Sequence, residues 1–273
     1  MSRFRFGLCE WCSPVMGPAV CRLAAEAGLD GVELNIGDIQ RSLPLSDARV
    51  QRYYLDASQK YGIAYTAMAV NTLDDYTMLH PDDVQESEMT RLILAKSVEA
   101  AAAMDIPIVQ VPSFFNNAIR TPEDLQASAQ FLRYACELAE KHGIIIGSEN
   151  TVSAEENLEL IERVNRPNFR IYFDTENPVF FGHYDSAAMI RALGSHICEV
   201  HVKDGNDQQH SSLPIGQGHG RFFECVQALK DVGYSGWIIA ENNYCTPPLR
   251  SFQNDSFDLI VEDLKVVKQA FGD

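Results

Sequence analysis

Four residues of the kinds that hold divalent metals, Glu149, Asp174, His201 and Glu241, each stand in or directly after a short apolar run of this 273-residue chain. The runs read Ile146-Gly147-Ser148-Glu149, Ile171-Tyr172-Phe173-Asp174, Val200-His201-Val202-Lys203-Asp204 and Ile238-Ile239-Ala240-Glu241. Three carboxylates and one imidazole, with no thiolate in the set, suit a hard or borderline cation such as Mn²⁺, Mg²⁺, Co²⁺ or Zn²⁺. Three acids brought together without a cation would raise one another's pKa. Any one of them alone reads equally well as a helix cap or a rim salt bridge; the four together point to a metal. Earlier runs also carry polar residues at their ends: Glu10, then Glu33 and Asn35, then Asn71, then Gln110 and Ser113.

The elements that must position these residues alternate along the whole chain. Strands are predicted at Phe4–Cys9, Gly31–Leu34, Ala64–Val70, Ile106–Val111, Ile144–Glu149, Arg170–Phe173, Cys198–Val202 and Gly236–Ala240. Helices are predicted at Pro18–Ala27, Asp47–Tyr61, Glu86–Met104, Pro122–His142, Ala154–Val164, Ser186–Leu193, Phe222–Val232 and Phe257–Phe271. Thr121-Pro122-Glu123-Asp124 supplies an N-cap, a proline at the first helical position and acids in the first turn, where the helix dipole favours them. Eight β-then-α units imply an α/β fold, a single (β/α)8 TIM barrel. An open doubly wound sheet is disfavoured because Cys9-Glu10-Trp11-Cys12 lacks the glycine-rich fingerprint expected after its first strand. No linker or low-complexity tract interrupts the chain, so one domain is expected over 1–273. In such a barrel the active site lies at the C-terminal ends of the strands, where the four ligand-type residues fall.

Composition narrows the partners. Lys and Arg number 22 against 38 Asp and Glu, a net charge of −16, which disfavours nucleic acid and anionic membrane surfaces. The start shows no secretory apolar stretch and no window reaches membrane-spanning length, so the expected location is cytoplasmic. Seven scattered cysteines read as reduced thiols, and Cys9-x-x-Cys12 has no second pair to make a zinc site of the usual spacing.

The motifs SEN at 148–150, FDTEN at 173–177, HVKDG at 201–205, PIGQG at 214–218 and GYSGWIIAEN at 233–242, with AAEAGLDGVEL at 24–34, resemble the xylose-isomerase-like barrel superfamily. Within it the chain looks like the sugar phosphate isomerase/epimerase family. The resemblance covers nearly the whole chain, and the order Glu, Asp, His, Glu matches the family's metal ligands. It implies one divalent metal, Mn²⁺ first, held by Glu149, Asp174, His201 and Glu241. It also implies isomerisation or epimerisation of a small ketose or ketose phosphate, by proton abstraction next to a carbonyl through an enediolate stabilised by the metal. Glu149 and Glu241 would act from opposite sides of the substrate as the acid/base pair.

Further roles follow from the same resemblance. Glu155 matches a family position that contacts the substrate or orients the first glutamate, and also reads as an acid favoured in a first helical turn. Asn177 stands where ketohexose epimerases commonly carry histidine, and Asp207 where they carry arginine; His183 or Arg221 is a substitute for those groups. Glu155, Lys203 and Asn177 are assigned to substrate binding, although Lys203 and Asp204 also read as a pair with each other. Gly216-Gln217-Gly218-His219-Gly220 reads either as a phosphate cradle of backbone amides or as a lid turn. A dimer or tetramer is implied by family habit. The readings left open are a metal-dependent dehydratase of the inosose or dehydroshikimate type and a non-catalytic sugar-binding barrel; an endonuclease IV type lacks the histidines it needs.

Overall fold

The computed structural model of the protein describes residues 3–251 and 254–272. Its strands are β1 (Phe4–Cys9), β2 (Gly31–Asn35), β3 (Ala64–Ala69), β4 (Ile108–Pro112), β5 (Ile145–Glu149), β6 (Phe169–Asp174), β7 (Ile197–Val202) and β8 (Gly236–Ala240). They form a closed barrel in the order β1 to β8, the (β/α)8 arrangement expected from the alternation of elements. The helices are α1 (Val20–Ala27), α2 (Ala48–Tyr61), α3 (Val84–Ala103), α4 (Pro122–Glu140), α5 (Ala154–Val164), α6 (Asn177–Gly182), α7 (Ser186–Leu193), α8 (Phe222–Asp231) and α9 (Ser256–Phe271).

Chain compactness distinguishes two units. One comprises Met1–Glu33, Asp56–Tyr65 and Phe173–Asp273 and holds β1, β7, β8, α1 and α6 to α9. Parallel pairing sets its register: Phe6 and Ile238 are partners between β1 and β8, His201 and Ile239 between β7 and β8, and Cys9 and Glu33 between β1 and β2. The other comprises Leu34–Leu55 and Thr66–Tyr172 and holds β4, β5 and α3 to α5, with Gln110 opposite Gly147 and Pro112 opposite Glu149. Strands β2, β3 and β6 run through from one unit to the other.

Local chemistry explains the boundaries. Thr121 and Asp124 form a reciprocal capping box at α4, and Ser153 and Glu156 do the same at α5. Asp83 accepts from Glu86 N at 3.0 Å, which starts α3 at Val84, two residues before the expected Glu86. Strand β4 begins at Ile108 and not Ile106, after Pro107, which has no amide to donate to a ladder. Helix α6 was not expected, because six residues carry too little periodicity to be read. Its start is held instead by Asp174 Oδ1, which accepts from the amides of Glu176 (2.7 Å) and Asn177 (2.6 Å).

Strands buried on both faces leave little room for unpaired polar groups. Leu8, Val32, Leu34, Val109, Ile146, Val200 and Ile239 are buried, and so are the acids Glu33, Glu149 and Asp174 beside them. An acid in that position needs a partner, and those partners make up the site.

Candidate metal centre and active site

Asp174 closes β6, His201 lies in β7, and Glu241 follows β8 directly. His201 Nδ1 lies 3.2 Å from Glu241 Oε2, and the same oxygen accepts from Lys203 Nζ at 2.6 Å. The Lys203 ammonium is also 3.1 Å from Asp174 Oδ2. Trp11 Nε1 donates to the other Glu241 oxygen at 3.1 Å, so both oxygens of this carboxylate are engaged. Burial by itself would raise the pKa of Glu241; the adjacent charges of His201 and Lys203 outweigh it and hold the carboxyl below its ordinary range. Glu241 is therefore ionised at neutral pH, as a ligand or a base must be.

Glu149 ends β5, and Gln110 Nε2 donates to its Oε2. One ligand atom from each of Asp174, His201 and Glu241 lies within 4.8 Å of the others. Two observations fit this cluster to a divalent cation. The donor set is carboxylate and imidazole, the set a hard or borderline ion takes. In addition, the buried Asp174 Oδ2 has the Lys203 ammonium 3.1 Å away but no donor aligned for a hydrogen bond among the described residues, leaving a lone pair beside the other ligands. Asp174, His201 and Glu241 are thus brought together within one unit, and Glu149 ends β5 in the other.

The substrate-binding assignments fare unevenly. Lys203 is buried and pairs with Asp174 and Glu241. Asn177 is buried and opens α6 with its amide on Asp174. Glu155 is exposed in the first turn of α5, the place a helix-dipole acid occupies. His183 is exposed at the end of α6, and Arg221 pairs with Asp185 at 2.7 Å and Glu224 at 3.4 Å.

The glycine-rich loop corrects an expectation. Its amides do converge on an anion, but the anion is Asp204. Gly205 N (3.1 Å) and Gly220 N (2.9 Å) donate to Oδ1, and Gly216 N (2.9 Å) and Gly218 N (3.0 Å) donate to Oδ2. A Cβ at Gly218 would overlap Asp204 and the Gly205 carbonyl, which explains the glycine there. With its donors used by a carboxylate from the same chain, the loop offers no amide cradle for a phosphate.

Sequence reasoning gave no role to Glu33, Gln110 or Glu176. Glu33 Oε2 stands 2.6 Å from His201 Nε2, and both side chains are wholly buried. A carboxylate only accepts, so with Glu33 at Nε2 and Glu241 at Nδ1 both ring nitrogens carry protons here, and Nδ1 gives its own up when it binds a metal. This is the carboxylate–imidazole arrangement that orients metal-ligating histidines. The signal was present, since Glu33 is the one charged residue inside the run Gly31-Val32-Glu33-Leu34. Glu176 accepts from Ser211 N at 2.9 Å and is pushed up to about 8 by burial, against the opposing pull of that amide. It lines a cleft with Val179, Phe180, His183, Asn206 and His219.

Comparison with known proteins agrees with the barrel fold. The sequence profile of the family described as xylose isomerase-like TIM barrel matches residues 21–269. A 2-epi-5-epi-valiolone 7-phosphate 2-epimerase of an Actinoplanes species is 31% identical over 83% of this chain and 82% of its own. An L-ribulose-5-phosphate 3-epimerase of Shigella flexneri is 26% identical over 81% of this chain and 80% of its own. In three dimensions, a D-allulose 3-epimerase from a Methylomonas species, solved with D-allulose, superposes with a TM-score of 0.80 at 21% identity, covering 99% of this chain and 98% of that one.

Proposed function

Since the chain belongs to the xylose isomerase-like TIM barrel family, we propose that it is a divalent-metal-dependent isomerase or epimerase of a small ketose or ketose phosphate. The observation that carries this reading is the cluster of Asp174, His201 and Glu241 with ligand atoms within 4.8 Å of one another. Phosphorylated substrates are favoured by the two curated relatives, whose names specify a 7-phosphate and a 5-phosphate.

When bound, the cation, Mn²⁺ first among the candidates, polarises the substrate carbonyl and so acidifies the neighbouring C–H. The chain's own residues do the rest. Glu241, kept ionised by His201 and Lys203, takes the proton, and Glu149 returns one from the opposite side. Lys203 offsets the charge of Asp174 and Glu241 and presents an ammonium to substrate oxygens, with Asn177 and Glu155 as further substrate contacts. Trp11 holds Glu241 through its indole N–H. No helix of the described residues is long and apolar enough to cross a membrane. A cytoplasmic, single-domain protein over 1–273, forming a dimer or tetramer, completes the reading.

Deuterium uptake from D₂O into a panel of ketoses and ketose 5-phosphates tests it, with EDTA-stripped protein before and after adding Mn²⁺. Metal-dependent exchange at carbon 3 is expected for an epimerase, and at carbon 1 for an aldose–ketose isomerase. Metal-independent exchange, or none with any member of the panel, overturns the proposal in favour of a dehydratase or a binding protein.

A further inference from the structure

Cys9 closes β1 opposite Glu33 in the parallel register, and both side chains are wholly buried, as is His201. The Cys9 thiol lies 3.5 Å from Glu33 Oε2 and 3.4 Å from His201 Nε2. Glu241 places a carboxylate oxygen within 4.8 Å of ligand atoms of both Cys9 and His201. A cysteine that only fills a core needs no polar neighbour. This one faces an imidazole nitrogen and a carboxylate oxygen at once.

Those separations are the ones a thiophilic ion requires. With metal–sulfur bonds of about 2.3 Å and metal–nitrogen or metal–oxygen bonds of about 2.0–2.2 Å, tetrahedral angles put the sulfur about 3.5 Å from the lighter donors. Both sulfur distances already have that value. Only the 2.6 Å pair of Glu33 and His201 must open, by about 0.7 Å, to bind a common ion.

We propose that Cys9, Glu33 and His201, with Glu241 at hand, form a second cation position that takes a thiophilic divalent ion, zinc or cadmium. It depends on the metal-dependent reading above only through the shared residues His201 and Glu241. On binding, the thiol S–H is exchanged for a sulfur–metal bond and its proton passes to solvent. His201 binds this ion through Nε2, whose proton also passes to solvent, and its one remaining ring proton stays on Nδ1. A neutral imidazole has a single lone pair, so the ring serves either this ion or the cluster with Asp174 and Glu241, not both. Thiophilic ions therefore exclude the hard cation from that cluster.

The test titrates EDTA-stripped full-length protein with Co²⁺ and Cd²⁺, reading thiolate-to-metal charge-transfer absorption, and with Mn²⁺, reading the free-ion signal by electron paramagnetic resonance. One equivalent of thiolate band is expected, retained in Cys136→Ser, abolished in Cys9→Ser, and accompanied by release of bound Mn²⁺ when Cd²⁺ is added. A band that survives Cys9→Ser overturns the proposal. Protein that binds Mn²⁺ but gives no thiolate band also overturns it, and leaves the metal-dependent reading standing. A Cys9-dependent band in protein that binds no Mn²⁺ supports it and sinks that reading instead. Should Cys9→Ser fail to fold, X-ray absorption on the zinc-loaded natural protein decides: a sulfur scatterer supports the proposal, and nitrogen and oxygen scatterers alone overturn it.

Discussion

Glu33 Oε2 and His201 Nε2 meet at 2.6 Å across 168 residues of chain, with neither side chain exposed to solvent. The contact fixes which ring nitrogen faces Glu241. Replacing Glu33 with Gln removes the charge that orients the ring and raises its basicity. Mn²⁺ affinity should fall about 10- to 100-fold, measured by calorimetry. Unchanged affinity would show that His201 is oriented by packing alone.

The two-glutamate mechanism makes a sharper demand. Glu149→Gln and Glu241→Gln should each lower turnover by about 10²- to 10⁴-fold, the range of a lost acid or base. Glu159→Gln, which removes an exposed partner of Arg163 on α5, should leave turnover unchanged. Both substitutions keeping full activity would rule the mechanism out.

Asp204 is predicted to be structural. Asp204→Ala leaves the amides of Gly205, Gly216, Gly218 and Gly220 without their acceptor. The expected loss is about 1–3 kcal/mol, read as a lower denaturation midpoint in urea. Amide hydrogen exchange should accelerate between residues 205 and 220. If exchange there stays at its natural rate, Asp204 does not hold the loop.

A pH signature comes from Asp263 in α9, which accepts from Ile215 N (2.9 Å), Asn242 Nδ2 (2.8 Å) and Tyr244 Oη (2.9 Å). Burial pushes its carboxyl up to about 6 from an ordinary 3.8, against the pull of those donors. Between these values the folded chain holds a proton that the unfolded chain has lost. Stability therefore falls as pH rises through the window, by up to about 3 kcal/mol from this group. Unfolding free energies measured from pH 3.5 to 7 should show that fall in the natural protein and not in Asp263→Asn. A difference between the two that is flat with pH contradicts the assignment.

How much of this was legible in the chain depends on the range over which each interaction acts. The predicted ends of β1, β8, α5 and α7 coincide with the observed ones, because strand composition, capping boxes and terminal glycines act over a few residues. The ordering of Glu149, Asp174, His201 and Glu241 at strand ends followed from the same local alternation, because the strands of a barrel all aim their C-terminal ends at one rim.

The partners of those residues did not follow. Lys203 could be read as bonded to the adjacent Asp204, yet it reaches Asp174 and Glu241, 29 and 38 positions away, while Asp204 turns to the amides of its own loop. Glu33 and Cys9 meet His201 only because the closed sheet brings β1 and β2 round toward β7 through β8. By itself the sequence determined the elements and the kinds of ligand at their ends, which are matters of period and type. Tertiary structure decided which charges neutralise one another and which carboxylate each nitrogen of His201 faces. Those choices depend on distances of a few ångströms between groups that only the folded barrel brings together.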